Sequence, residues 1–250
     1  MPTKSQKKNL KYSIVVPAYH EELIIENSLR KLYSFLKEEG LFHQTEVVVV
    51  TADSPDNTSE IVAQEIKQFK YFKHVKPGIK VGKGRDVKTG ILAASGEYVL
   101  FMDADLATPL RYVKPAFAKL GKHDLIIGQR DLKIIHSDFR KYISIFSNLL
   151  IRITLLPGFR DTQCGFKAFR RDVANTILEK SKIVGWGFDF EILKIAKINS
   201  LSINTLKING WHDPKIEAGL TGVSPIHASL STLLELLIVK LNSIRGVYKI

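Results

Sequence analysis

Apolar residues in the first half of the chain fall in short β-branched runs, separated by segments in which they recur at helical spacing. The runs YSIVVPAY (12–19), TEVVVVTA (45–52), EYVLFMDA (97–104) and DLIIGQR (124–130) are bounded by turn residues and read as buried strands. Between them, EELIIENSLRKLYSFLKEE (21–39) and TSEIVAQEIKQF (58–69) carry the spacing of amphipathic helices. Strands alternating with helices predict an α/β fold: a mostly parallel sheet with helices on both faces. Ligands of such sheets bind outside the carboxyl ends of the strands. Three polar stretches fall at such ends, Pro17–Glu21, Asp53–Asp56 and Asp103–Asp105.

The second half reads differently. RKYISIFSNLLIRITLL (140–156) predicts a helix with Tyr142, Ile145, Phe146, Leu149, Leu150 and Ile153 on its apolar side. Arg140, Ser144, Asn148 and Arg152 recur every four residues on another side. Such a stripe suits a phosphate, because arginine forks match its oxygens, and it equally suits a solvated helix face. LSTLLELLIVKLNSIRGVYKI (230–250) is apolar, with Lys240, Arg245 and Lys249 towards its end. The expected organisation is a basic tail over 1–11, one globular domain over 12–227 and an amphipathic helical extension over 228–250. That extension is expected either to lie on an anionic membrane surface or to pack on the domain.

Composition narrows the partners. The 250 residues are 45% hydrophobic and 25% charged, an ordinary globular balance. The single cysteine, Cys164, excludes a disulfide framework and reads as a packed thiol in a reducing compartment. Net charge is +12, and residues 67–88 carry Lys67, Lys70, Lys73, Lys76, Lys80, Lys83, Arg85 and Lys88 against the acid Asp86. An anionic partner follows: nucleic acid, a phosphorylated small molecule or a membrane surface. No aromatic-rich or glycine-rich nucleic-acid recognition motif accompanies the charge, so nucleic acid is not expected. The longest apolar runs, 142–156 and 230–241, are shorter than the roughly 20 residues of a membrane span, and the start lacks a signal-peptide pattern. The expected location is therefore cytoplasmic.

Chemistry concentrates at Asp103 and Asp105. Two carboxylates on one turn after a strand suit magnesium or manganese, which take oxygen ligands from acids and substrate phosphates. Lys83 stands between two glycines in GKGRDVKTG (82–90), as in phosphate-cradling loops, with helix N–H groups expected to follow. The spacing of a nucleoside-triphosphatase P-loop is absent.

The blocks VVPAYHEE, ADSPDNT, GKGRDVKTG, LFMDADLAT, RDTQCGFKAF and GWGFDFEIL follow one another as in the family 2 glycosyltransferases of GT-A fold, a mixed, mostly parallel, Rossmann-like sheet. The resemblance covers residues 12–250 and is strongest to the dolichyl-phosphate glucosyltransferases, next to the dolichyl-phosphate mannose synthases. It implies metal-dependent, inverting transfer of a hexose, glucose from UDP-glucose or mannose from GDP-mannose, to a polyprenyl or dolichyl phosphate. The enzyme would sit peripherally at the cytoplasmic face of a membrane. By the same resemblance Pro17, Tyr19, Glu21, Asp53, Lys83 and Ala104 contact the nucleotide sugar, together with Asp103 and Asp105, which hold Mg2+ or Mn2+. Arg130, Arg140 and Ser144 lie near the lipid phosphate. Asp161 positions the sugar or its loop, and Asp189 and Glu191 position the acceptor unless they serve the helix start. His212 is a candidate for the metal or diphosphate. The chain departs from the family pattern at three places: TADS (51–54) replaces DDGS, His20 replaces Asn, and Ala107 stands where the mannose synthases have a third metal ligand. A transferase acting on a different acceptor, or a catalytically silent sugar-nucleotide binder, remains the competing expectation.

Overall fold

The computed structural model describes residues 10–131, 149–212 and 225–250, with backbone alone for 225–230. Strands β1 (Tyr12–Ala18), β2 (Thr45–Thr51), β3 (Phe72–Val75), β4 (Tyr98–Met102), β5 (Leu125–Arg130), β6 (Phe166–Arg170) and β7 (Ile203–Ile208) form one sheet in the order β3-β2-β1-β4-β6-β5-β7. β1 runs parallel to β2 and β4, β2 to β3, and β5 to β7. β6 lies antiparallel between β4 and β5. The helices are α1 (Ile25–Glu38), α2 (Thr58–Glu65), α3 (Lys83–Ala93), α4 (Val113–Lys119), α5 (Arg171–Lys180), α6 (Phe188–Ile198) and α7 (Pro225–Ile244). The mixed, mostly parallel sheet flanked by helices agrees with the expectation from sequence.

Alternation along each strand sends successive side chains to opposite faces and so builds two core layers. Ile14, Val16, Val47, Val49, Leu100 and Met102 meet Leu29, Leu32 and Leu36 of α1, Val62 of α2 and Phe117 of α4. Val15, Val48, Val50, Val99 and Phe101 meet Val87 and Ile91 of α3, Ile177 of α5, Ile192 of α6 and Val239 of α7. β2 is buried along its whole length, which is why its sequence reads as an unbroken valine run.

The four expected strands are present. Three more are short or half-polar: β3 (FKHV), β6 (FKAFR) and β7 (INTLKI). In the helix expected over 140–156, residues 140–148, including Arg140 and Ser144, lie outside the described residues. Residues 149–154 are helical, but the buried face differs from the expected one: Leu149 and Ile153 are 46% and 70% exposed, whereas Ile151 and Leu155 are buried. Leu155 and Leu156 both enter the core, and Ile151, one turn earlier, follows Leu155 inward.

Glu191 of α6 also corrects an expectation. It is 0% exposed, and its carboxylate accepts hydrogen bonds from Ser181 Oγ at 2.5 Å, the Lys182 and Ile183 N–H groups at 2.8 and 3.0 Å, and the Tyr248 hydroxyl at 2.7 Å. With its oxygens engaged in the interior, Glu191 cannot face an acceptor; it ties the α5–α6 connection and the chain's end to the core. Burial, followed by the nearby Glu191 charge, raises the Tyr248 pKa, so the phenol stays a donor. Tyr248→Phe removes one charge-assisted bond and is expected to cost about 1.5–3 kcal/mol in denaturant unfolding. Unchanged stability in this variant would remove Glu191 from its anchoring role.

Candidate active site

Loops that follow parallel strands collect at the carboxyl edge of the sheet, and the reversed direction of β6 brings the residues before it to the same edge. The Asp103 N–H accordingly donates to the Gly165 carbonyl at 3.1 Å.

At one end of this edge the loops after β1 and β2 are stitched together. The N–H groups of His20, Glu21 and Glu22 donate to Ser54 Oγ, Thr58 Oγ1 and Asp56 Oδ2 at 3.1, 2.8 and 3.1 Å. His20 takes a left-handed φ of 61°, which turns the chain after Pro17 and Tyr19. Asp56 also accepts from the Ser54 and Thr58 hydroxyls at 2.5 and 2.7 Å. Burial opposes its charge, but these donors outweigh that penalty and hold its pKa down. Within TADS, Thr51 and Ala52 are buried, and Thr51 Oγ1 lies 2.6 Å from Nε2 of His74. Burial, then the charge of Lys76, pushes His74 down to about 4, so it meets Thr51 as a neutral ring. Asp53 is the exposed acid of the segment, with its N–H on the Gly78 carbonyl at 2.9 Å.

Next along the edge, α3 begins at Lys83. Of the N–H groups in its first turn, that of Arg85 donates to the Val184 carbonyl and that of Asp86 makes the first bond of the helix, to the Gly82 carbonyl. The flanking glycines allow close approach. A Cβ at Gly82 would lie 2.3 Å from the Val184 carbonyl oxygen, and one at Gly84 would lie 2.6 Å from Phe188 Cβ. The segment before α6 thus packs directly on the start of α3. Lys83 Nζ pairs with Asp103 Oδ1 at 2.7 Å and stands 5.4 Å from the centroid of the Trp186 ring. Burial opposes the ammonium charge, but Asp103, Asp189 and Asp105 outweigh it and raise the Lys83 pKa. Nearby, Lys80 bridges Asp86 at 2.5 Å and the Tyr19 ring, whose centroid is 4.5 Å away.

The turn after β4 carries the two acids. Leu106 N–H donates to the Asp103 carbonyl at 3.2 Å and Ala107 N–H to Asp105 Oδ1 at 2.9 Å, with Leu106 at φ 54°. Ala104 points into the core. Hard carboxylate oxygens on one tight turn fit a divalent cation whose remaining ligands come from a diphosphate and water. Among the described residues no third acid, histidine or cysteine completes a protein cage. His212 reaches the turn through its backbone, its N–H donating to the Ala107 carbonyl at 3.2 Å, while its Nδ1 lies 3.4 Å from the Gly210 carbonyl.

Arg130, at the end of β5, is gripped by Asp161. Nε and an Nη of the guanidinium bond the two carboxylate oxygens at 2.7 and 3.0 Å, and the Arg130 N–H adds 3.1 Å. Asp161 is 1% exposed, so it does not face a sugar; it positions Arg130, whose Cζ stands 5.2 Å from the Trp211 ring centroid. Burial disfavours the Asp161 charge, but Arg130 outweighs it and lowers the pKa. Beneath the turn, Lys167 pairs with Asp189 at 2.5 Å and donates to the Cys164 carbonyl at 2.7 Å. Asp189 is 3% exposed, which places it under the site rather than against an acceptor. Burial pushes the Cys164 thiol up to about 12, so it packs as a neutral group.

Lys167, Gly165, Trp186 and Trp211 were not anticipated from sequence. The first three lie inside the blocks RDTQCGFKAF and GWGFDFEIL, beside the acids; Trp211 has no signal beyond its neighbour His212.

A sheet edge that joins an Asp-x-Asp turn to a lysine at a helix start and a clamped arginine has the chemistry to hold phosphorylated ligands beside a cation. The fold is that of the GT-A glycosyltransferases: glucosyl-3-phosphoglycerate synthase from Mycobacterium tuberculosis, solved with Mn2+, UDP and glucosyl-3-phosphoglycerate, superposes with a TM-score of 0.66. That likeness covers 92% of this chain and 80% of the other at 20% identity. The chain belongs to glycosyl transferase family 2, whose profile matches residues 13–178, and it is an enzyme of that class. Among its relatives, a dolichyl-phosphate beta-glucosyltransferase of Trichomonas vaginalis is 32% identical over 85% of this chain and 69% of its own. The enzyme of the same name from Dictyostelium discoideum is 29% identical over 97% and 77%. The human one is 29% identical over 95% and 77%.

Gly165 tests the geometry of the edge. A Cβ there would lie 1.8 Å from Asp103 Oδ2, so Gly165→Ala must displace the carboxylate. Sugar-nucleotide turnover is expected to fall by about a hundredfold, the scale of losing one preorganised charge contact, with thermal unfolding still cooperative. Full activity in Gly165→Ala would mean that the position of Asp103 does not matter.

Proposed function

We propose that this enzyme moves glucose from UDP-glucose onto a polyprenyl phosphate of the dolichyl type, with inversion, at the cytoplasmic surface of a membrane. The supporting observation is the arrangement along one sheet edge of Asp103, Asp105 and Lys83, then Arg130 held by Asp161. The names of the relatives supply the acceptor class and the sugar.

In this reading Tyr19, Glu21 and Asp53, at the ends of β1 and β2 beside Pro17, receive the nucleoside, and Asp103 and Asp105 hold Mg2+ or Mn2+. When bound, that cation neutralises charge on the departing diphosphate. Arg130 presents to the acceptor phosphate the guanidinium edge that Asp161 leaves open, and Arg140 and Ser144 are assigned to the same phosphate. A phosphate oxygen attacks the anomeric carbon in line, the new C1–O bond forming as the C1–O bond to UDP breaks. The nucleophile is already an anion near neutral pH, so the chain needs no general base. That agrees with acids at 189 and 191 that are buried and paired.

A screen of UDP- and GDP-sugars with a short polyprenyl phosphate tests the reading. UDP-glucose with Mn2+ is expected to be the preferred donor, and Asp105→Ala to lose about a hundredfold or more in rate. Transfer that survives both chelation and Asp105→Ala, or transfer to a hydroxyl acceptor, contradicts it.

No helix among the described residues is long and apolar enough to cross a membrane. α7 nevertheless has two different faces. Leu236 and Val239 are buried against the core, while Leu234, Leu237, Ile238, Leu241 and Ile244 are 57%, 58%, 45%, 50% and 75% exposed. Lys240, Arg245 and Lys249 are exposed around them, and Glu235 is turned to the Gly187 N–H at 2.6 Å. An apolar stripe bordered by cations suits an anionic lipid surface, which is where a polyprenyl phosphate resides. Replacing Leu237, Leu241 and Ile244 together by Ser is expected to abolish co-sedimentation with phosphatidylserine-containing vesicles and leave UDP binding intact. Equal sedimentation of the triple variant assigns the stripe to another partner.

A further inference from the structure

Asp103 is not a vacant ligand in this structure. One of its oxygens, Oδ1, is held by Lys83 Nζ at 2.7 Å, and the other side of the carboxylate packs against Gly165, where even a Cβ would fall 1.8 Å from Oδ2. A cation that takes Oδ1 of Asp103 competes with the lysine for that oxygen. The main chain at Lys83 has no room to retreat, because Gly82 and Gly84 are pressed on the backbone before α6. The side chain must swing instead, and the Trp186 ring, 5.4 Å from Nζ, offers a cation–π contact along its path.

We propose that Lys83 is the resident counter-ion of Asp103, displaced when a divalent cation binds, and that the incoming diphosphate accepts the released ammonium. Cation and nucleotide then load as a unit. The inference rests on the assignment of Asp103 as a cation ligand. Its electrostatics are simple. With Lys83 in place the partly exposed Asp103 carboxylate is paired. A lone divalent ion entering there meets a like charge, whereas one arriving with a diphosphate brings the anion that takes the lysine over. Linkage then requires that the nucleotide strengthen cation binding by the same factor as the cation strengthens nucleotide binding.

The test is a Mn2+ titration of the full chain, followed by the electron paramagnetic resonance signal of free Mn2+, with and without UDP. Wild type is expected to bind Mn2+ weakly alone and far more tightly with UDP. Lys83→Met and Lys83→Gln are expected to bind Mn2+ without UDP about tenfold more tightly than wild type, relief of one neighbouring like charge. The same variants should lose a comparable part of the UDP-dependent gain. Lys83→Arg, which keeps the charge and offers a variant that retains the pairing, should behave as wild type. Lys122→Met removes an exposed lysine at the opposite edge of the sheet and should change nothing, which separates a local effect from net charge. Neutral Lys83 variants that bind Mn2+ no more tightly than wild type without UDP would overturn the proposal, as would an equal gain in Lys122→Met. Asp103→Asn separates the two layers. If it binds Mn2+–UDP as wild type does, the ligand assignment itself fails. If it abolishes that binding while neutral Lys83 variants match wild type, the lysine exchange alone fails.

Discussion

Charge buried at the carboxyl edge of the sheet has to be paired, and that requirement arranges the site. Lys83–Asp103, Arg130–Asp161 and Lys167–Asp189 stand at 2.7, 2.7 and 2.5 Å, each joining residues from different elements. Asp103 is 35% exposed, but at Asp161 and Asp189, which are buried, an unpartnered carboxylate would cost several kcal/mol or take up a proton, on the order expected for a desolvated ion. Each pair therefore fixes a register: α3 against β4, the end of β5 against the segment before β6, and β6 against α6. The first two pairs remain partly open to solvent, with Lys83 and Arg130 side chains 16% and 17% exposed, and the third is sealed. The sealed pair supports the edge, and the open ones are those proposed to meet ligand.

The antiparallel strand makes this possible. In an all-parallel sheet the residues before β6 would lie at the far edge. Because β6 runs backwards between β4 and β5, Asp161, Gln163 and Gly165 arrive beside Asp103 and Arg130. Glycines then set the distances by omission: Gly165 under the Asp103 carboxylate, and Gly82 and Gly84 under the segment that carries Trp186. On the far side of that segment Glu235 of α7 holds the Gly187 N–H. The helix proposed to meet the lipid surface is thus bonded to the segment that carries Trp186.

Sequence pattern made the central strands and the Asp103–Asp105 turn legible, because buried parallel strands read as apolar runs and acids at their ends stand out. It did not reveal β6, whose Lys167 interrupts the apolar run; the lysine is buried only because Asp189, 22 residues later, neutralises it. β3 and β7 escaped for a different reason: as edge strands they stay half exposed and lack a clean pattern. Residue type does not tell a reacting acid from a supporting one. Asp161, Asp189 and Glu191 share residue type with Asp103 and Asp105, but their partners come from distant segments, and those partners decide that they support rather than react. The glycines of GKG also accommodate backbone about a hundred residues away, a separation that no local pattern encodes.

In the proposed reading, one set of charges along the edge receives a diphosphate and another a phosphate, with the anomeric carbon between them. Such an arrangement has a stereochemical signature. Nuclear magnetic resonance of the product formed by the wild-type enzyme from UDP-glucose and a short polyprenyl phosphate reads both the linkage and the anomeric configuration. A single β-glucosyl phosphate, with coupling between the anomeric proton and phosphorus, is the expected product. An α-linked product, or glucose found on a hydroxyl group instead of phosphorus, would contradict in-line attack by the acceptor phosphate.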